Sequence, residues 1–157
     1  MDANSIRRYL RGTFSDRPEQ EHLIVLHLDT NLKVKGREMV SLGTMVSASA
    51  SPTQVFRSAM HIGSFAIVLV HNHPGGDLTP SDADKEATKN LIACGKILGI
   101  PVLEHYICDS DLELIPIKLT NKFPALWAMK PSFVDDPKYV DSDGMLDVDI
   151  DEEGNYK

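Results

Sequence analysis

Residues 65–98, FAIVLVHNHPGGDLTPSDADKEATKNLIACGKIL, decide how this chain is read. Phe65-Ala66-Ile67-Val68-Leu69-Val70 is a short apolar run with no polar phase, the pattern of a strand buried on both faces. It leads straight into His71-Asn72-His73-Pro74-Gly75-Gly76, where proline and glycine break the strand. From about Pro80 to Leu98 the period changes: Ala83, Ala87, Leu91, Cys94 and Leu98 form one stripe, and Lys85, Glu86, Lys89, Asn90 and Lys96 fall mostly off it. That is an amphipathic helix able to cover a sheet, with Gly99 as its stop.

Working outward, His22 to Asp29 (HLIVLHLD) is rich in branched apolar residues, Thr30-Asn31 marks a turn, and Leu32 to Leu42 alternates apolar with charged residues. An antiparallel strand pair with one wet face follows from that pattern. Ser51-Pro52-Thr53 opens a helix carrying Val55, Phe56, Ala59, Met60 and Ile62 at helical spacing, stopped by Gly63. Downstream, Val102 to Cys108 and Leu112 to Ile117 are strands around a turn at Asp109-Ser110-Asp111. The order β-β-α-β-α-β-β predicts an α/β (α+β) domain, a central mixed sheet flanked by helices. Residues 1–18 read as a polar lead-in closing on Asp16-Arg17-Pro18, residues 19–134 as the domain with Trp127 packed back on it, and residues 135–157 as an acidic, disordered tail.

The chain has 157 residues, 42% hydrophobic and 25% charged, enough for one ordinary core. Its formal charge of -7 hides a division, since residues 135–157 hold nine acids and two bases and the remainder is balanced. A neutral body and an acidic tail argue against direct nucleic-acid binding and against attraction to anionic membranes. No signal-peptide core and no apolar run of about 18 residues is present, so the expected location is cytoplasmic with no membrane span. Cys94 and Cys108 form no C-x-x-C pair, and Cys94 reads as a small core residue.

The chemistry sits at residues 71–84. His71 and His73 are two apart at the end of a strand, so their rings share one face and form a half-site for zinc. Asp84, in the first turn of the next helix, can return over the strand end as a third ligand, leaving the fourth position to water as in catalytic zinc sites. A plainer explanation competes, because Ser81 and Asp84 also have the spacing of a capping box. The sequence offers another cap: with Thr79 as N-cap, Pro80 takes the first helical position, Asp82 the third, and Ser81 and Asp84 are free to face the histidines.

His71-x-His73, seven residues, then Ser81-x-x-Asp84 resembles the JAMM motif of the JAB/MPN metallopeptidase superfamily, whose fold is cytidine-deaminase-like. Asn72, Pro74-x-Gly76-Asp77 and Pro80-Ser81 are similar to the RadC branch. So are Gln20-Glu21-His22, Leu28-Asp29, Val46-Ser47-Ala48, Pro52-Thr53-Gln54-Val55-Phe56, Leu98-Gly99-Ile100 and Glu104-His105. The resemblance covers roughly residues 20–117 and implies zinc held by His71, His73 and Asp84. It implies that Ser81 hydrogen-bonds the oxyanion and that Glu21 is the general base, with Glu19 a rival by position. Hydrolysis requires such a carboxylate in any case, to take a proton from water and pass it to the leaving amine. His105 matches a frequent family histidine and stays outside the ligand set. The implied activity is zinc-dependent hydrolysis of a peptide or isopeptide bond in a peptide or protein-conjugate substrate.

Other metal chemistries fail on spacing. A zinc deaminase needs H-x-E and P-C-x-x-C, and a zincin needs H-E-x-x-H; the chain has none of these. In the tail, placing Gly144 of Asp141-Ser142-Asp143-Gly144 at the sixth position of a calcium loop puts Tyr139 first and Ile150 twelfth, so the EF-hand register fails. The second functional expectation is a DNA-repair-associated RadC-like accessory or interaction module whose site binds metal without catalysis.

Overall fold

The computed structural model describes residues 3–14, 19–41 and 51–117. Its elements are α1 (Ala3–Leu10), β1 (His22–Leu28), β2 (Val34–Ser41), α2 (Pro52–Ile62), β3 (Ala66–Asn72), α3 (Asp82–Leu98), β4 (Val102–Cys108) and β5 (Leu114–Pro116). The strands form one sheet in the order β2-β1-β3-β4-β5, parallel only between β3 and β4. This is the expected mixed sheet. β1, β3 and β4 are its interior strands, and every residue of β1 and β3 is buried. That burial explains their largely apolar sequence.

The period of two divides those strands between two cores. Leu23, Val25, Ile67 and Leu69 face α2 and α3, where they pack with Val55, Phe56, Ala59, Leu91, Ile92 and Cys94. Ile24, Leu26, Leu28, Val68 and Val70 face the other way and pack with Ile6 and Leu10. The segment read as a polar lead-in therefore carries a helix, α1, that covers the second face of the sheet. Its signal is weak because only two of its eight residues, Ile6 and Leu10, are apolar anchors, spaced one helical turn apart.

Local chemistry closes the elements. Pro52 opens α2, and Gly63 at φ 68° ends it. The β1–β2 turn is built on Asp29, whose Oδ1 accepts from the main-chain N–H groups of Asn31 (2.8 Å) and Lys33 (2.9 Å), with Leu32 left-handed at φ 57°. The β4–β5 turn repeats this: Asp109 Oδ1 accepts from Asp111 and Glu113, both at 2.9 Å, and Leu112 stands at φ 60°. Holding Leu112 in the turn shortens β5 from the expected Leu112–Ile117. Trp127, the Val46-Ser47-Ala48 stretch and the acidic tail lie outside the described residues.

Candidate metal centre

His71 is the next-to-last residue of β3, held in register between Leu23 of β1 and Ile107 of β4. The chain leaves the sheet at His73, whose main-chain N–H donates to the Cys108 carbonyl at 2.8 Å, and reverses through Gly76, at φ 78°. Only glycine adopts that angle without strain. The reversal brings the start of α3 back over the strand end, as the motif spacing predicts.

That helix does not begin where the sequence placed it. Thr79 is not the cap; its main-chain N–H donates to Asp77 Oδ1 at 2.9 Å, which keeps Asp77–Thr79 in a turn. Ser81 is the N-cap, and the capping box is real: Asp84 N–H donates to Ser81 Oγ (3.0 Å) while Ser81 N–H donates to Asp84 Oδ2 (2.8 Å). The reciprocal pair satisfies two helix-end donors at once, which a cap at Thr79 would forgo. Ser81 Oγ also donates to Asp84 Oδ2 at 2.7 Å. Capping and site-facing thus coincide: Asp84 Oδ1 lies 3.2 Å from His71 Nδ1 and its Oδ2 lies 3.4 Å from His73 Nε2.

Glu21 completes the cluster. Its Oε2 is 3.5 Å from His71 Nε2, and the ligand atoms of Glu21, His71 and His73 lie within 4.8 Å of one another. Of the two glutamates weighed from the sequence, Glu21 is the one that reaches the histidines. The histidine rings meet edge to face at 4.8 Å. His71, His73 and Asp84 side chains are 6%, 16% and 11% exposed, whereas Glu21 is 50% exposed. Three groups are withdrawn from water and the fourth stands at the mouth.

The hydrogen bonds test whether a cation suits these groups. His73 Nδ1 is 2.7 Å from the Asp77 carbonyl, an acceptor only, so that nitrogen carries the proton. In the neutral ring the lone pair of Nε2 then faces Asp84 Oδ2. His71 has a carboxylate oxygen opposite each ring nitrogen, and its Nε2 is buried with no hydrogen-bond partner. Lone pairs facing carboxylates, with two carboxylates around two imidazoles, match a divalent cation. Burial works against the charge of Asp84, but the hydrogen bonds from His71 and Ser81 outweigh it and hold the carboxyl below the usual range, so it stays anionic beside the two imidazoles.

Behind the cluster, Thr88 Oγ1 donates to the Asp84 carbonyl (2.6 Å) and accepts from His105 Nδ1 (2.8 Å). Burial, helped by nearby His71, pushes His105 down to about 3, so it is neutral and supports Asp84 through Thr88. Thr88 belongs to no motif in the sequence. Its signal was its place four residues after Asp84, one helical turn on the same face. A cavity of about 230 Å³ opens beside His73, lined by Leu10, Phe14, Pro74 and Leu112 among others. Cys94 and Cys108 are both buried and their thiols are pushed up to about 12 by burial, so neither supplies a thiolate.

The model of the RadC-like JAB domain matches residues 1–114. This chain belongs to the RadC-like JAB domain family. Its relatives carry the name UPF0758 protein. That of Chlorobium chlorochromatii is 40% identical over 107 residues, which are 68% of this chain and 48% of the relative. That of Pelodictyon phaeoclathratiforme is 43% identical over 105 residues, 67% and 47% of the two chains. A Bacillus cereus (strain G9842) protein is 42% identical over 100 residues, 64% and 44% of the two. The chain thus spans about half the length of the relatives it matches. Among the described residues, no helix is long and apolar enough to cross a membrane.

Proposed function

We propose that this RadC-like JAB domain is a zinc-dependent hydrolase of a peptide or isopeptide bond. The observation that carries the reading is the gathering of the ligand atoms of Glu21, His71 and His73 within 4.8 Å at the end of β3, with the Asp84 carboxylate 3.2 Å and 3.4 Å from the two imidazoles. Two imidazoles and a carboxylate suit zinc among the common divalent ions, and His71, His73 and Asp84 would hold it. Bound zinc would supply Lewis acidity, polarising a carbonyl and bringing water to a pKa near neutrality.

The chain's own groups do the remainder. Glu21, half in solvent and 3.5 Å from His71, is placed to take a proton from the attacking water and deliver it to the departing nitrogen. Ser81 holds Asp84 through both its N–H and its hydroxyl. The oxyanion role implied by the family resemblance requires that hydroxyl to turn from Asp84 Oδ2 to the substrate carbonyl.

Metal analysis and a hydrolysis screen test the reading. Purified protein is expected to hold near-stoichiometric zinc, and the His71→Ala, His73→Ala double variant none; a wild type without zinc affinity overturns it. Glu21→Gln is expected to keep zinc and lose about 10²–10⁴-fold in the hydrolysis of peptides or ubiquitin-like conjugates. Zinc binding with no cleavage across the panel would instead support a binding module.

A further inference from the structure

Asn72, between the two histidines, is one position out of phase with them on the strand and takes no part in the cluster of ligand atoms. Its side chain, 4% exposed as a residue, reaches the start of β1 instead. Asn72 Oδ1 accepts from the His22 main-chain N–H at 2.6 Å, and Asn72 Nδ2 donates to the Gln20 main-chain carbonyl at 2.9 Å. Those two groups belong to the residues on either side of Glu21. The ladder between β1 and β3 stops at Leu23, paired with His71, so it does not itself hold Glu21.

We propose that Asn72 is a positioning residue for Glu21: by gripping the chain on both sides of that residue, it sets where the Glu21 carboxylate stands relative to His71. The inference rests on the reading of Glu21 as general base. Glutamate has three side-chain torsions, and at a half-exposed site only its main chain can narrow the region it samples. Misplacement by about 1 Å is enough to cost on the order of 10²-fold in rate. The residue type follows from the two partners. One side chain must accept from an N–H and donate to a C=O, which an amide does, an aspartate does by half and an alanine does not at all.

Two experiments on the 157-residue chain test this. In metal-free protein, backbone amide exchange at His22 is expected to speed up by about tenfold or more in Asn72→Ala and to remain slow in Asn72→Asp, which keeps the acceptor. Unchanged protection of Leu69 and Val70 shows that the sheet is intact. Unaltered exchange at His22 in Asn72→Ala overturns the proposal, whether or not the protein hydrolyses anything.

In zinc-loaded protein, with a peptide or ubiquitin-like conjugate that the wild type cleaves, Asn72→Ala is expected to lower kcat by about tenfold to a hundredfold. KM and zinc content should stay the same, and the substitution should cost nothing further in a Glu21→Gln background. An equal loss in both backgrounds shows that Asn72 does not act through Glu21 and overturns the proposal. If Glu21→Gln is inactive while Asn72→Ala is fully active, Asn72 alone is refuted. A fully active Glu21→Gln refutes the general-base reading, and the role of Asn72 with it.

Discussion

Ser81 shows how one side chain can start a helix and hold a neighbouring carboxylate together. Its hydroxyl receives the Asp84 N–H at 3.0 Å and donates back to Asp84 Oδ2 at 2.7 Å, so helix start and the orientation of the Asp84 carboxylate are a single arrangement. Ser81→Ala is expected to lower stability by about 1 kcal/mol, the usual worth of an N-cap, in urea unfolding of metal-free protein; no loss would show that the cap is not a stabilising one. His27 offers a residue whose effect is read through pH. It is fully buried, its Nδ1 is 2.9 Å from Ser64 Oγ, and its Nε2 is 3.9 Å from Glu38. Burial lowers its pKa below the ordinary 6.5; Glu38 opposes the shift and Lys35 adds to it. The unfolded chain therefore takes a proton that the folded chain resists. The contribution of His27 to stability is complete above about pH 6.5 and shrinks as the pH falls toward its folded value, by at most about 1.4 kcal/mol per pH unit. His27→Leu should show a shallower decline of urea stability on acidification, and parallel curves would refute the assignment.

At the scale of elements, Gly95 of α3 has no room for a side chain between the chain that follows the helix and α2. A Cβ there would meet the main-chain oxygen of Ile100 and stand 3.2 Å from the ring of Phe56. Alanine is the better helix former by about 1 kcal/mol, but the clash is with main chain and with a buried ring, neither of which yields easily. Gly95→Ala is expected to destabilise by about 1–3 kcal/mol, measured by thermal or urea unfolding, and a stabilised variant would show that the helices separate readily. The close approach also explains a limit of sequence reading. The stripe Ala83, Ala87, Leu91, Cys94 and Leu98 locates the helix, yet a glycine inside it reads only as a weakness until Ile100 and Phe56 are seen beside it. The start of α3 was missed for a similar reason: Thr79-Pro80 and Ser81-Asp82 are both good openings, and the turn made by Asp77 chose between them.

Taken whole, the molecule is a sheet with two covered faces, and the second cover is α1. Ile6 and Leu10 are 1% and 0% exposed against Ile24, Leu26, Val68 and Val70. Leu10→Ala is expected to cost about 2–5 kcal/mol in unfolding free energy, as for a core leucine; a cost below about 0.5 kcal/mol would show that α1 is not part of the folded core. The mixed sheet, the order of strands and helices from β1 onward and the gathering of His71, His73 and Asp84 were legible in the sequence. Each follows from a local rule: the period of two in a strand, the period of 3.6 in a helix, and the reversal that proline and glycine permit. Three things required the tertiary structure. The packing of α1 rests on two apolar residues against a face that exists only after β1 and β3 pair. The approach of the Glu21 carboxylate to within 3.5 Å of His71 depends on the pairing of β1 with β3. The bonds of Asn72 to Gln20 and His22 join residues about fifty positions apart. Sequence periodicity records which way a side chain points along its own element; what it meets there is set by chain distant in sequence, and only the fold brings that chain near.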